Sequence, residues 1–213
     1  MKITKIGHCC LIIEEQGIKI LTDPGAFSTT QNQITGVDVV LITHEHPDHL
    51  HIESLKTVLT NNPNAEVVTN TAVGKILDKD QIKYNILEDS GSINIKGIEI
   101  KGFGKEHADI YKTIIPVQNT GYFIADKLFY PGDAFYNPGI PVDILALPVA
   151  GPWMKISDAL DYAKTIKPRI CFPVHDGHIK EIGFGPIHNL PKNILKDLKI
   201  EFIVIKEGET EEF

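Results

Sequence analysis

The sequence predicts an α+β fold in which sheets pack together and helices lie outside them. Short strand patterns joined by tight turns open the chain. Strand-helix-strand alternation then runs through 37–87 and again through 142–205. No repeat, linker or low-complexity stretch divides these regions, so 1–213 reads as a single domain.

Residues 3–6, 11–15 and 18–21 read as three short strands, the last two joined by a turn at Glu15-Gln16-Gly17. Asp23-Pro24-Gly25 breaks the pattern, and 26–36 is a polar loop. The nearly all-apolar 37–43 is a strand of the kind buried on both faces. Residues 52–59 have helical spacing, stopped by Asn61-Asn62-Pro63. A strand (66–69), a helix (72–77) and a strand (83–87) follow. Alternation over 92–95 and 97–103 around Lys96 marks a hairpin, and 121–125 with 127–130 marks a second across Asp126. Residues 142–147 form a buried strand, and 157–166 a helix with Ser157 as its N-cap. The strand 169–173, the helix 190–198 and the strand 201–205 complete the core. The acidic tail 207–213 is expected to fray.

With 213 residues the chain is long enough to bury a sizeable core, and 42% hydrophobic with 23% charged residues is an ordinary globular balance. No apolar run is long enough to span a bilayer, and 1–5 begin a strand pattern without the apolar segment of a signal peptide. A cytoplasmic protein without a membrane partner is the expectation. Three cysteines, two of them adjacent (Cys9, Cys10), make no disulfide framework and read as small buried hydrophobes. The net charge of -7 argues against a nucleic-acid partner, which needs clustered Lys and Arg. It leaves room for an anionic substrate, because bound cations reverse the local potential.

The stretch Thr43-His44-Glu45-His46-Pro47-Asp48-His49 follows the buried strand directly. His44 and His46 are two apart, so an extended backbone turns both rings to one side. Asp48 and His49 fall where the chain bends toward the next helix and can face a second centre. Four ligands from so short a loop suit two adjacent cations better than one. Three more candidates each follow a strand. His107 comes after the 97–103 strand, Asp133 follows Pro131-Gly132 after the second hairpin, and His175 follows Pro173-Val174. Recurrent His or Asp at strand ends is what a site at one edge of a sheet requires.

With His44-x-His46-x-Asp48-His49, His107, Asp133 and His175 in this order, the chain resembles the metallo-β-lactamase superfamily over essentially its whole length. It is most similar to the UlaG-like and UPF0173 branch of metal-dependent hydrolases, which includes N-acyl-phosphatidylethanolamine phospholipase D relatives. Gly7-His8-Cys9, Leu21-Thr22-Asp23-Pro24 and Pro173-Val174-His175 point to that branch. The resemblance implies a four-layer αβ/βα sandwich and a pair of divalent cations. Zinc is the first expectation for these ions, with manganese or iron as alternatives. His44, His46 and His107 would hold one ion and Asp48, His49 and His175 the other, with Asp133 bridging them. His46 stands where flavodiiron oxygen reductases have Glu, which argues against redox chemistry. The extra helical domain of glyoxalase II enzymes and the long arm of RNase Z enzymes are missing.

The implied activity is hydrolysis of a lactone or phosphodiester in a small-molecule substrate by a hydroxide activated between two metals. Asp48 and Asp133 would hydrogen-bond that nucleophile. The readings from other classes are a metal-binding or sensing protein on the same fold and a nucleic-acid phosphodiesterase. Related proteins assemble into oligomers, so a homo-oligomer is compatible with the resemblance.

Other residues are read more plainly. His8 is either a hydrogen-bonded core histidine or a group beside the site. Asp23 is either an Asx-type turn residue or a carboxylate that orients a ligand histidine. His51 caps or decorates its helix, His178 and His188 sit in an exposed Gly-rich loop, and Glu45 and Asp176 face solvent or flank the site. Trp153 is core packing or a substrate wall. Arg169, the only arginine, lies in a strand away from any phosphate clamp.

Overall fold

Two seven-stranded sheets lie face to face in a computed structural model that describes residues 1–28 and 30–213. Thr29, within the stretch read as a loop, lies outside the described residues. The first sheet holds β1 (Lys2–Gly7), β2 (Cys10–Glu15), β3 (Ile18–Thr22), β4 (Val39–Leu41), β5 (Glu66–Thr69), β6 (Asn85–Ile86) and β14 (Thr210–Glu212). Their order is β14-β1-β2-β3-β4-β5-β6. The second holds β7 (Ser92–Ile95), β8 (Ile98–Phe103), β9 (Gly121–Ile124), β10 (Leu128–Tyr130), β11 (Ile144–Pro148), β12 (Ile170–Val174) and β13 (Glu201–Phe202). It runs β13-β12-β11-β10-β9-β8-β7.

Each sheet is antiparallel on its hairpin side and parallel on the other. There α-helices carry the β4–β5, β5–β6, β11–β12 and β12–β13 crossovers, and the β3–β4 and β10–β11 connections have no α-helix. Three of the hairpins close on two-residue turns with positive φ at Gln16-Gly17, Lys96-Gly97 and Ala125-Asp126. That backbone twist matches the twist of the flanking strands.

Three apolar clusters define four layers. Ile3, Leu11, Ile13 and Ile20 of the first sheet meet Ile100, Tyr122, Ile124 and Phe172 of the second in the central layer. Leu55 and Val58 of α1 (Ile52–Asn61) and Val73 and Leu77 of α2 (Thr71–Leu77) cover the outer face of the first sheet. Ala159, Leu160 and Ala163 of α3 (Ile156–Ile166) and Leu195 of α4 (Leu190–Lys196) cover the second. Each fully buried aliphatic side chain here contributes about 1.5–3 kcal/mol. The expected α+β sandwich with outer helices is the observed architecture.

Four local expectations are corrected. The tail does not fray, because β14 pairs antiparallel with β1 (Ile3 opposite Glu211) and Phe213 N–H donates to Met1 C=O at 2.7 Å. Ser157 is not the N-cap of α3. The Asp158 carboxylate accepts from the Lys155 N–H at 2.7 Å, which moves the cap position back to Lys155. α4 is shorter than 190–198 and is preceded by a π-helical turn over Gly185–Asn189. His188 is not exposed: that turn carries it inward, where it is buried against Asp176.

Candidate metal centre

The candidate residues leave the two sheets at one shared edge. β4 runs into Ile42 and Thr43, and the Thr43 carbonyl accepts from Thr120 N–H of the second-sheet half at 3.0 Å. The next residues fold into a turn closed by His49 and Leu50 N–H on the His46 carbonyl (2.9 and 2.8 Å). His107 follows β8, Asp133 follows β10 and His175 follows β12. Two glycines permit the approach. A Cβ at Gly25 would lie 1.8 Å from the Asp48 carbonyl oxygen, and one at Gly132 would lie 2.3 Å from Asn119 Oδ1. Gly132 also has φ +65, which an L side chain rarely adopts.

All seven expected ligands come together. One potential donor atom from each of His44, His46, His107 and Asp133 lies within 4.8 Å of the others, and so do donors of Asp48, His49, Asp133 and His175. Asp133 belongs to both sets. In the first, His44 Nε2 is 3.1 Å from His46 Nδ1, and His107 Nε2 is 3.3 Å from Asp133 Oδ2. In the second, His49 Nε2 is 3.1 Å from Asp133 Oδ1, while His175 Nε2 is 2.9 Å from Asp133 Oδ2 and 3.4 Å from Asp48 Oδ2.

The donor set fits cations. His49 Nε2, His107 Nε2, Asp133 Oδ1 and both ring nitrogens of His175 are buried with no hydrogen-bond partner. Buried polar atoms are ordinarily paired, so these unpartnered donors fit a site that takes a cation. The opposite ring nitrogens are fixed by outer partners. His49 Nδ1–H donates to Asp23 Oδ2 at 2.7 Å and His107 Nδ1–H to the Ala108 carbonyl at 2.6 Å. The Thr43 hydroxyl donates to Asp23 Oδ2 (2.8 Å), so it accepts from His44 Nδ1–H at 3.0 Å. Each of these three rings therefore turns an Nε2 lone pair inward, as metal-binding histidines do.

The charges agree. Burial, then the neighbouring His49 ring, push the His44 pKa well below the ordinary imidazole value, and burial with His107 lowers that of His46. These rings are neutral, as ligands must be. Burial alone would raise the Asp133 pKa, but His49 and His175 hold it well below the usual carboxylate range. Burial opposes charge on His175 as well, yet Cys9 and Asp133 lift it to about 10. His49 is likewise raised against burial, chiefly by Asp133 and then Cys9. A bound cation would take the place of the protons on these two rings. Cys9 has the converse balance: burial resists ionisation, but the His49, His8 and His175 rings pull the thiol below its ordinary range.

Neighbouring residues complete the picture. Asp23 is fully buried and accepts from Thr43 N–H (2.8 Å), the Thr43 hydroxyl, His49 and the Tyr130 hydroxyl (2.5 Å), so it is far more than a turn residue. His8 Nδ1 accepts from Gly177 N–H at 3.2 Å, which leaves Nε2–H to donate to Asp48 Oδ2 at 3.1 Å. Trp153 is buried in the core rather than an exposed wall, and its Nε1–H also donates to Asp133 Oδ2 at 3.0 Å. Asp176 is buried rather than solvent-facing. It pairs with Lys5 Nζ at 2.5 Å and with His188 Nε2 at 2.8 Å. His178 is exposed, with its ring 5.8 Å from that of His175, and Glu45 stays partly exposed outside both donor sets. His51 occupies the N-cap position of α1. The Trp153, Tyr130 and Lys5 contacts had no local sequence signal, since each partner is more than 15 residues away.

Comparison with known proteins decides the lineage. The profile of the beta-lactamase superfamily domain matches residues 2–175, a span that contains every residue of the two donor sets. The chain belongs to the metallo-β-lactamase superfamily. Protein Rv0786c of Mycobacterium tuberculosis is 36% identical over 180 residues, covering 82% of this chain and 84% of that protein. A UPF0173 metal-dependent hydrolase of Carboxydothermus hydrogenoformans is 27% identical over 200 residues (82% and 84%), and the chain is UPF0173-like within the superfamily. The solved structure of Igni18, a metallo hydrolase from Ignicoccus hospitalis, shares the fold with a TM-score of 0.77 at 24% identity, covering 100% of this chain and 98% of that one. Among the described residues no helix is long and apolar enough to cross a membrane.

Proposed function

We propose that this metallo-β-lactamase superfamily protein is a metal-dependent hydrolase that cleaves a lactone or phosphodiester bond in a small molecule with two divalent metal ions. The observation that carries the reading is the pair of donor sets sharing Asp133, with unpartnered nitrogens facing inward. His44, His46 and His107 would hold one ion, Asp48, His49 and His175 the other, and Asp133 both. Zinc suits imidazole and carboxylate donors, as do manganese and iron. When bound, such ions would polarise a substrate oxygen and lower the pKa of a bound water toward neutrality.

The protein's own groups do the rest. Asp48, with 18% of its side chain exposed against 3% for Asp133, is the carboxylate open to an attacking water, and it can accept a hydrogen bond from it. The His8 Nε2–H on Asp48 fixes which oxygen remains free. Trp153 and Asp23 hold Asp133 and His49 in place.

The surroundings favour a small, uncharged or weakly charged substrate. Arg169 is held bidentately by Asp143 (2.8 and 2.9 Å), so no guanidinium serves the site. Phe27 is 53% exposed with its ring 5.1 Å from His8, an apolar surface beside the donor sets. These features lend the lactone more support than the phosphodiester, and the net charge of -7 speaks against nucleic acid.

The test is to determine metal content per chain and turnover of aliphatic lactones and a generic aryl phosphodiester by the same preparation. Two ions per chain with lactone turnover is the expected result. Both positions filled with no turnover across the panel would replace the hydrolase by a binding role.

A further inference from the structure

We infer that the Cys9 thiolate is a ligand of the second metal position, binding the same cation as His49 and His175. The inference rests on the reading that those two histidines hold a cation, and it adds a donor from the β1–β2 turn. Donor atoms of His8, Cys9, His49 and His175 all lie within 4.8 Å of one another, and all four residues are buried. Of the three cysteines, only Cys9 falls in such a group among the described residues. Cys10 packs among the apolar side chains under α1 and α2, and Cys171 among those under α3.

A thiol in a buried place is not by itself a ligand, so the rest of the group matters. His49 is 0% and His175 3% exposed, and His49 Nε2 and both nitrogens of His175 lack partners. His8 is different. Its Nδ1 accepts from Gly177 and its Nε2 donates to Asp48, so it orients a carboxylate and has no lone pair free for a cation. The sulfur is therefore the one donor of the first turn that remains available.

The turn is also clamped in place. Cys9 C=O accepts from the Thr22 hydroxyl at 2.9 Å and lies at the same distance from the Tyr130 hydroxyl oxygen, whose proton goes to Asp23. His175 N–H donates to His8 C=O at 3.2 Å, and a Cβ on Gly177 would come within 2.9 Å of His8 N. The β1–β2 turn and the His175 loop are thus in direct backbone contact, which fixes Cys9 relative to His175.

Metal–sulfur and metal–nitrogen bonds of about 2.3 and 2.0–2.1 Å bring donors on one ion to roughly 3–3.5 Å of each other, against the 4.8 Å within which these atoms lie. Coordination forms a metal–sulfur bond and releases the thiol proton to solvent, with no change of oxidation state. A thiolate biases the second position toward zinc, cobalt or cadmium and away from manganese. The first position, with three imidazoles and Asp133, has no such bias. The two positions then differ in softness, and the second should be filled selectively by thiophilic ions.

The experiment loads the purified full chain with two equivalents of Co²⁺ and records its absorption spectrum. Expected are visible ligand-field bands together with a near-ultraviolet thiolate-to-cobalt charge-transfer band. The latter should vanish in Cys9→Ser and persist in Cys10→Ser and Cys171→Ser. A zinc-loaded wild-type sample should show a sulfur scatterer at about 2.3 Å in X-ray absorption, which decides the matter even if the variant does not fold. Two cobalt ions bound with ligand-field bands but no charge-transfer band, or zinc without sulfur, would overturn the thiolate and leave the two-ion hydrolase intact. No uptake of either metal would overturn both.

Discussion

Asp23 Oδ2 lies 2.7 Å from His49 Nδ1, and the same carboxylate takes hydrogen bonds from Thr43 N–H, the Thr43 hydroxyl and the Tyr130 hydroxyl. One buried side chain therefore fixes a ring of the second donor set directly and, through Thr43, His44 of the first. Asp23→Asn replaces an acceptor with a donor at one oxygen and leaves the His49 tautomer unspecified. We expect zinc affinity to fall about 10–100-fold, the usual cost of removing such an outer partner. Competition against a chromophoric chelator measures it, and unchanged affinity would mean that the site orients itself without Asp23.

Trp153→Phe separates ring from donor. The indole packs 5.2 Å from Phe135 and 5.6 Å from His107, and a phenyl ring keeps much of that contact. The lost Nε1–H leaves Asp133 Oδ2 short of one hydrogen bond, an expected destabilisation of about 1–3 kcal/mol in the metal-free protein. Urea unfolding in chelator should show the deficit, and saturating zinc should reduce it.

Lys5, Asp176 and His188 form a buried charge cluster next to His175. Asp176→Asn strands the Lys5 ammonium and should cost about 3–5 kcal/mol. Lys5→Met combined with Asp176→Asn should cost less than the single Asp176 change, because no unpaired ion remains. Equal losses in the two proteins, by urea unfolding, would contradict this account.

The pH dependence has a definite sign. His175 is raised to about 10 in the folded chain, against about 6.5 in an unfolded one. Its contribution in chelator-treated protein is complete below about pH 6.5 and is lost as pH climbs toward 10. The melting temperature in chelator should fall across that window, by about 2–4 °C for each kcal/mol lost. His175→Ala should flatten the slope. Zinc affinity should run the other way, weakening toward acid as protons reclaim the rings.

Ending the chain before Thr210 removes β14 and Phe213, whose ring stacks 6.1 Å from Phe172. About 2 kcal/mol of stability should go with them, from one lost aromatic contact and an uncovered sheet edge. Thermal unfolding of the truncated protein checks this.

The two-sheet architecture is legible because burial on one face leaves an alternation, as in β8, and burial on both leaves an unbroken apolar run, as in β11. His44 to His49 were legible because four donors fall within six residues. His107, Asp133 and His175 are scattered singly, and only their order after strands singled them out. The tail escaped notice because Thr210–Glu212 is an edge strand exposed on both faces, so no apolar alternation marks it. The burial of Asp176 and His188 leaves no local mark: the Lys5 that pairs with Asp176 lies 171 residues away, and a π-helical turn directs His188 inward. Cys9 was read as a plain buried thiol, since nothing local says that two imidazoles from other loops surround it.

The donor atoms are divided between the halves of the molecule: His44, His46, Asp48 and His49 follow β4 of one sheet, while His107, Asp133 and His175 follow strands of the other. Neither half holds a complete donor set. Cut within the connection between β6 and β7, the two fragments should reassociate far more tightly when zinc is supplied than in chelator, so that the ions act as a removable rivet between complementing pieces.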